Sequence, residues 1–550
     1  MTLHLRTSAG SLPQGMPVIA VTGTARPAGR DTLPGLAERL ERAFDAIRDD
    51  WQHIAHGLRR LDGPGLAVMT TAAANISDFG LMLAWRRLAG ELAREDGDVL
   101  LLCDDALIYR ALACIPGISA GPAPGMLRPV VRSLMRGIAA RVAVALRCLR
   151  ARLVLSGLKA VQSGGNWILL YGHPASNADG RDAYFGDLMQ RHDGLRRALH
   201  TDCDIATAKR LGKDGRSHAL HAWGSLVEAS KAPFRWWRPS TAHLDTGLRW
   251  LVRRAALNEN AGGAIAMNGW QRHCQGRWLA DVKPALVAWP WENHGWERHF
   301  VPAARGAGTR TAGYQHTVVG RHQFNFAAAS NLDPEAETPD VICCNSPRYL
   351  DQLRRWCRPG QELRLAGSFR IRRIDRNALD TDGPVYVALC PFAPIAAQMI
   401  ASLEALADSG LEFVVKDHPL YPFDFRESAH LKRTGLTIPD FPGMRAVIYS
   451  TGATGLEGLL SGVPTLRYLP DDRVAPDTLP EGIPVTTVTA ESLGAALRNL
   501  PAPAAIGYDD IFAEVDYSLW DALFSTGSAM THMFPQPAAA IEPARDRKAT

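Results

Sequence analysis

Short apolar runs bounded by turn residues recur along the chain, and stretches with helical spacing separate them. A first series comprises residues 17–22, 65–71 and 98–103, and a second comprises 341–344, 363–366, 385–389, 411–415, 446–449 and 465–468. Runs of this kind suit strands covered on both faces, and their alternation with helical segments predicts parallel sheets. Two series predict two doubly wound, Rossmann-type α/β domains facing a cleft: residues 1–330 and residues 340–530. The join is expected between 326 and 340, where Asn331, Asp333, Pro334, Glu335, Glu337 and Pro339 are polar or rigid and lack an apolar period. Residues 535–550, rich in Pro, Ala and charge, are expected to form a disordered tail.

One segment breaks the alternation. Residues 126–159 interleave Leu, Val, Ile and Met with Arg128, Arg132, Arg136, Arg141, Arg147, Arg150 and Arg152, without one acidic residue. This reads as a basic helical insertion, about 126–160, in the first domain. Such a helix either packs an apolar stripe on that domain or makes a peripheral contact with an anionic membrane.

Composition narrows the class. At 550 residues the chain exceeds what one hydrophobic core supports, and 46% hydrophobic with 21% charged residues is ordinary globular usage. The balance of 61 Lys plus Arg against 56 Asp plus Glu is too even to imply nucleic acid as a partner. No apolar stretch of some 18 residues occurs and the first residues lack a signal-peptide pattern, so the expectation is a cytoplasmic protein, with the inner membrane face as a further location. The nine cysteines lack metal or redox spacing, which predicts reduced thiols, no metal site and no cofactor.

The chemistry concentrates in the second series. The run 411–415 leads into Lys416, Asp417, His418 and Pro419, and the run 446–449 leads into Ser450, Thr451, Gly452, Ala453, Thr454, Gly455 and a helix carrying Glu457. Doubly wound sheets bind ligands at the carboxyl ends of their strands. Lys416 offers a point charge and His418 a switchable donor, while Pro419 stiffens their turn. A Gly- and Thr-rich helix start offers amides and a positive dipole end to a phosphate, and Glu457 an acceptor for ribose hydroxyls. No GK[ST] follows the glycines, which disfavours nucleoside triphosphate hydrolysis.

These residues, with Gly462-Val463-Pro464-Thr465, resemble bacterial GT-B glycosyltransferases, above all those using CMP-activated acidic sugars. Sialyltransferases and Kdo transferases carry an HP motif and a downstream Ser/Thr motif that bind the CMP phosphate, which implies those roles for His418, Ser450 and Thr451. The acidic D/E-D/E-G motif of sialyltransferases has no copy here, since Asp104-Asp105 lacks the Gly. The segment from Trp289 to Arg298, the Gly313-Tyr314-Gln315-His316-Thr317 turn and Tyr184-Phe185-Gly186-Asp187-Leu188 are similar to a bacterial surface-carbohydrate biosynthesis family. That likeness implies cleft-facing residues.

Glycosyl transfer needs a base for the acceptor hydroxyl. Trp289, Trp291 and Trp296 beside Glu292 and Glu297 form an apolar wall next to carboxylates, the setting that raises a carboxyl pKa. Glu292 is the first candidate, followed by Glu297 and Asp187; the plain alternative is buried tryptophans with Glu297 paired to Arg298. His316, Gln315 and Arg321 are candidates for holding the acceptor or an acidic sugar. The resulting expectation is metal-independent transfer of a sugar from a nucleotide-sugar donor, with CMP-Kdo or CMP-nonulosonate in view, to a surface polysaccharide or a glycan or lipid-linked acceptor. Two alternatives remain: a CDP-glycerol-type glycerophosphotransferase, and a non-catalytic scaffold that binds a nucleotide sugar.

Overall fold

A computed structural model describes residues 3–10, 12–27, 29, 31–62, 66–95, 98–160, 162–371, 373–374, 377–419 and 421–525. The expected disordered tail lies outside the described residues.

Three sheets, all parallel, carry the fold. The first contains β1 (Leu3–Arg6), β2 (Val18–Ala20), β3 (Val99–Leu102) and β4 (Ile118–Ala120) in the order β2-β3-β1-β4. The second contains β5 (Asn166–Leu170), β6 (Arg196–Leu199), β7 (Ser217–Ala219), β8 (Leu286–Pro290), β9 (Arg310–Gln315), β10 (Val341–Cys344) and β11 (Glu362–Leu365), in the order β11-β10-β9-β8-β5-β6-β7. The third contains β12 (Val385–Ala388), β13 (Phe413–Lys416), β14 (Leu431–Arg433), β15 (Ala446–Tyr449), β16 (Thr465–Tyr468) and β17 (Thr486–Val488), in the order β14-β13-β12-β15-β16-β17. In the second and third sheets the order reverses part-way, between β5 and β8 and between β12 and β15. Two doubly wound units are present, as expected, but their strands are divided differently: the runs at 17–22 and 98–103 fall in the first, additional sheet, and those at 341–344 and 363–366 belong to the second sheet, not the third.

Most of these strands are short apolar runs buried on both faces, β3, β8, β10, β12 and β15 throughout their length. The run at 65–71 is the exception. Residues Val68–Thr71 form one 3-10 turn, because Thr70 and Thr71 donate their hydroxyls to the carbonyls of Ala67 and Val68 at 2.7 and 2.6 Å. That local bonding competes with a sheet ladder.

The join expected at 326–340 falls inside the second unit. β10 pairs with β9 in register from Val341 against Ala312, so the chain crosses to the third sheet only between β11 and β12. Several polar residues of that segment find partners in the fold: Glu337 pairs with Arg59, Asp340 accepts from Arg305 and Thr311, and Arg298 donates to Ser330 O at 2.6 Å, while the buried side-chain amide of Asn331 meets none among the described residues. After β17 the chain returns. The helix Tyr517–Ser525 sets Trp520 against Phe185 and Tyr314, and Trp520 donates to Ala366 O, so residues 508–525 complete the second unit rather than the third.

The basic insertion is a single helix, Leu127–Val154, of 28 residues. Its buried side packs on the helix Thr246–Ala261, and its large apolar residues are turned outward. All nine cysteines are unpaired. Among the described residues no helix is long and apolar enough to cross a membrane.

Candidate functional site

The order reversal of the second sheet opens a crevice at the carboxyl ends of β5 and β8, the place where such sheets take ligands. Every strand around it delivers a polar or aromatic residue there. Tyr171 follows β5, His200 follows β6, Glu292 and His294 follow β8, His316 follows β9, and Arg370 lies beyond β11.

These side chains touch in sequence. His294 Nε2 lies 2.7 Å from Glu292 Oε2, and His316 Nε2 lies 3.7 Å from Glu292 Oε1. The Tyr184 ring meets His316 edge-on at 5.1 Å, and the Arg370 guanidinium sits 5.2 Å over Tyr184. On the other side Trp296 Nε1 donates to Tyr171 OH at 3.1 Å, and Tyr171 and His200 pack ring against ring at 4.8 Å. Glu292 keeps 27% of its side chain exposed, against 5% for His316.

The turn that aims Glu292 is fixed by its neighbour. Glu297, fully buried, accepts from Trp289 Nε1 at 3.1 Å, from the Glu292 amide at 3.2 Å and from the Asn293 amide at 2.9 Å. Asn293 takes a left-handed conformation, φ 55°, which Asn tolerates better than most residues, and its side chain donates to Asn325 O at 2.6 Å. Glu297 therefore shapes the turn instead of meeting a substrate. It is not paired with Arg298, which instead donates to Asn293 O, Ser330 O and Thr71 O.

The electrostatics reverse one expectation. Burial alone raises Glu292, but the hydrogen bond from His294 and the charges of His294, His316 and Arg370 outweigh it and hold the carboxyl down at about 2. The carboxyl pushed up to about 7, chiefly by burial, is Glu297. Burial lowers His294, yet its bond to Glu292 raises it above its ordinary value, while burial takes His316 down to about 4. At neutral pH the crevice thus holds an ionised Glu292 clamped by His294, with His316 uncharged.

Three further candidates, from the expected domain 1–330, are engaged elsewhere. Asp187 accepts from Tyr517 OH at 2.8 Å, which anchors the returning C-terminal helix. Gln315 is buried, bonded to Thr317 O and to the Asn345 amide. Arg321 is ion-paired to Glu41, Asp45 and Asp477, which leaves no fork for an acidic sugar.

In the third sheet, the turn from Ser450 to Gly455 lies at the β12/β15 reversal, and the turn from Lys416 to Pro419 ends the adjoining β13. Ser450 is buried and donates to Tyr468 O, Thr451 donates to Pro476 O at 2.6 Å, and both hydroxyls stiffen the turn. Gly452 has φ 102° and open space where a side chain would be. Gly455 is small for another reason, because a Cβ there would meet the Tyr449 ring at 2.2 Å. The amides of Ala453, Thr454 and Gly455 open the helix Thr454–Leu460, and no acceptor meets them among the described residues. Glu457 is raised by burial. Asp417 pairs with Arg433 and accepts from the Phe423 amide at 3.1 Å, holding the turn; Lys416 donates to Gly435 O; Pro419 is exposed. His418, half-buried and lowered by that burial, lies against the Tyr421 ring.

Sequence reading missed Tyr171, His200 and Arg370. Tyr171 and His200 each stand directly after a buried apolar strand, a signal present in the sequence; Arg370 follows an irregular stretch and carried none. Among the described residues Arg370 makes no hydrogen bond or ion pair, and no three His, Cys, Asp or Glu side chains form a metal-binding group.

No family model and no curated protein matches the chain. Solved structures overlap it distantly. The glycotransferase of kitacinnamycin is 13% identical, with a TM-score of 0.36 over 62% of this chain and 91% of that one. MurG of Acinetobacter baumannii is 11% identical, with a TM-score of 0.31 over 61% and 89%. The Rickettsia bellii UDP-N-acetylglucosamine 2-epimerase is 9% identical, with a TM-score of 0.31 over 55% and 78%. The chain is similar to these in part, at TM-scores too low to carry a function.

Proposed function

We propose that the protein is a GT-B-type glycosyltransferase whose acceptor hydroxyl is deprotonated at Glu292. The observation that carries this reading is the convergence of Tyr171, His200, Glu292, His316 and Arg370 at the strand-order reversal of the second sheet. Glu292 Oε2 is committed to His294, and Oε1 faces His316 Nε2 across 3.7 Å. One hydroxyl oxygen at about 2.8 Å from each would donate its proton to Oε1 and accept from the imidazole. His294, whose bond and charge favour the ionised form, keeps Glu292 deprotonated and aimed until the hydroxyl arrives.

The donor's phosphate would sit on the amides of Ala453 to Gly455 with His418 as an uncharged N–H donor, easing departure of the nucleotide. An acidic sugar such as Kdo or a nonulosonate on CMP fits Arg370, a guanidinium that lies over Tyr184 and, among the described residues, makes no hydrogen bond or ion pair, and a surface polysaccharide or lipid-linked glycan is the proposed acceptor. The test is calorimetric titration of CMP, CDP, UDP and GDP into the wild type and His418→Ala. We expect tightest binding of CMP, weakened about 10- to 150-fold by the substitution, the worth of a hydrogen bond to a charged group. No nucleotide binding at all would overturn the reading.

The exposed arginine-rich helix favours a second reading, a CDP-glycerol-type glycerophosphotransferase working at a membrane. Product linkage decides, since phosphorus retained in the polymer belongs only to that reaction.

A further inference from the structure

The Leu127–Val154 helix is amphipathic with its apolar side outward. Its inner side is small or anchored: Gly137, Cys148 and Ala151 are buried, Ser133 donates to Leu257 O at 2.8 Å, and Arg141 stacks 3.4 Å over Trp236 while donating to Arg235 O at 2.8 Å. On the outer side Leu127, Val131, Leu134, Ile138, Val142 and Leu146 follow one another at helical spacing, all exposed, Leu127 by 79%. Leu226, Val227 and Phe234 stand out of the short elements packed beside the helix, Phe234 exposed by 81%. Twelve of the fifteen exposed large apolar side chains among the described residues lie on this helix or on the short elements packed beside it. A monomer does not leave so continuous a patch in water without a partner for it.

Charge decides the partner. Arg128, Arg132 and Arg136 stand on successive turns along one flank of the stripe, with Arg150 further on, all exposed and, among the described residues, without a hydrogen bond or ion pair. No acidic residue occurs from 126 to 159. We propose that this face docks the protein on an anionic lipid surface, the helix lying flat at headgroup level with the apolar stripe among acyl carbons and the arginines on phosphates. A second copy of the chain would bring the same arginines without one carboxylate to meet them. The proposal stands apart from the transferase reading, because it concerns attachment and not turnover.

The experiment is flotation of the full chain with phosphatidylcholine vesicles, with and without phosphatidylglycerol. Variants are the quadruple Arg128→Gln, Arg132→Gln, Arg136→Gln, Arg150→Gln and the triple Leu134→Ser, Ile138→Ser, Phe234→Ser, each checked for an unchanged thermal transition. We expect binding only to the anionic vesicles, weakened by salt, and reduced about 600-fold in partition constant by the quadruple, from a factor of about five for each of the four arginines. The triple should also reduce it at constant charge. Equal binding by wild type and quadruple, no binding to anionic vesicles, or a salt-stable dimer cross-linked through Met135→Cys would overturn the proposal, the last by giving the face to a second copy.

Discussion

Arg467 and Glu41 stand 426 residues apart in the chain and 2.6 Å apart in the fold, both buried. Arg467 also lies 3.5 Å from Asp477, and Asp477 and Glu41 share Arg321. The first and third units are thus held by alternating charges, buried at Arg467 and Glu41 and open to solvent at Arg321. Removing the central cation by Arg467→Met leaves carboxylates buried and short of a partner, for which we expect a loss of about 3–5 kcal/mol in denaturant unfolding. Burial opposes ionisation of Asp477, but Arg467, His322 and Arg321 outweigh it and lower its pKa. Its contribution is therefore complete above the ordinary value and is lost as pH falls through the lowered one, so the difference between wild type and variant should shrink in acid.

Glu292 and His294 give a second pH signature. With Glu292 held at about 2, its stabilisation is present above 4.5 and disappears as pH drops toward 2. His294 is raised, so its share is present below 6.5 and is lost as pH climbs through the raised value. The stability difference between wild type and Glu292→Gln should peak between those two limits.

For the proposed reaction, Glu292→Gln should lower kcat by about 10²- to 10⁴-fold. A carboxylate ionised at about 2 gives no acid limb in kcat/KM around neutrality. A limb near pH 7 would take the role of proton acceptor away from Glu292.

Arg370→Ala should raise KM for a donor with an acidic sugar by about 10-fold or more and leave a neutral-sugar donor unaffected, as expected for loss of a charge-assisted contact. Equal effects on both donors would place the guanidinium away from the sugar.

Gly320 lies four residues past His316, and a Cβ there would meet Asp477 O at 2.1 Å. Thr478, next in the chain, donates to Gly452 O at 3.0 Å and accepts from the Gly452 amide at 3.1 Å. The loop after His316 therefore abuts the turn that holds Gly452. Gly320→Ala should cost about 1–3 kcal/mol of stability and also weaken nucleotide binding; a stability loss with unchanged nucleotide affinity would show that the two turns are packed together without being coupled.

Four strands of the third sheet, β12, β13, β15 and β16, were legible because each is an apolar run that ends in turn chemistry, as at Tyr449-Ser450 and Lys416-Asp417; β14, Leu-Lys-Arg, and β17, Thr-Thr-Val, carry no such run. The second sheet was harder to read. β6 begins with Arg196 and Arg197, and the buried Arg197 is matched by Asp182 and Asp214, so its strand carries no apolar signature. Residues 326–340 looked like a linker because their polar groups find partners only in three dimensions. At the site, a carboxylate beside tryptophans was readable, but whether it is raised or lowered depended first on the fold of the turn that sets His294 against it, and then on His316 and Arg370, which are distant in sequence. Arg321 has the composition of a ligand contact, and only Glu41 and Asp477 reveal it as a clamp.

The first unit's core has a consequence for synthesis. Besides its own strands it contains Leu244, Leu251, Val252, Ala255 and Phe324, supplied from beyond the long basic helix. A ribosome adding about 5–20 residues per second takes on the order of ten seconds to pass from β4 to the helix Thr246–Ala261, which supplies Leu251, Val252 and Ala255. During that interval the nascent first sheet lacks one wall, and the newly made apolar helix is already outside the exit tunnel. An anionic surface that captured the helix early would hold the chain still until its missing wall arrived, so where the protein attaches and how it completes its fold are the same event in time.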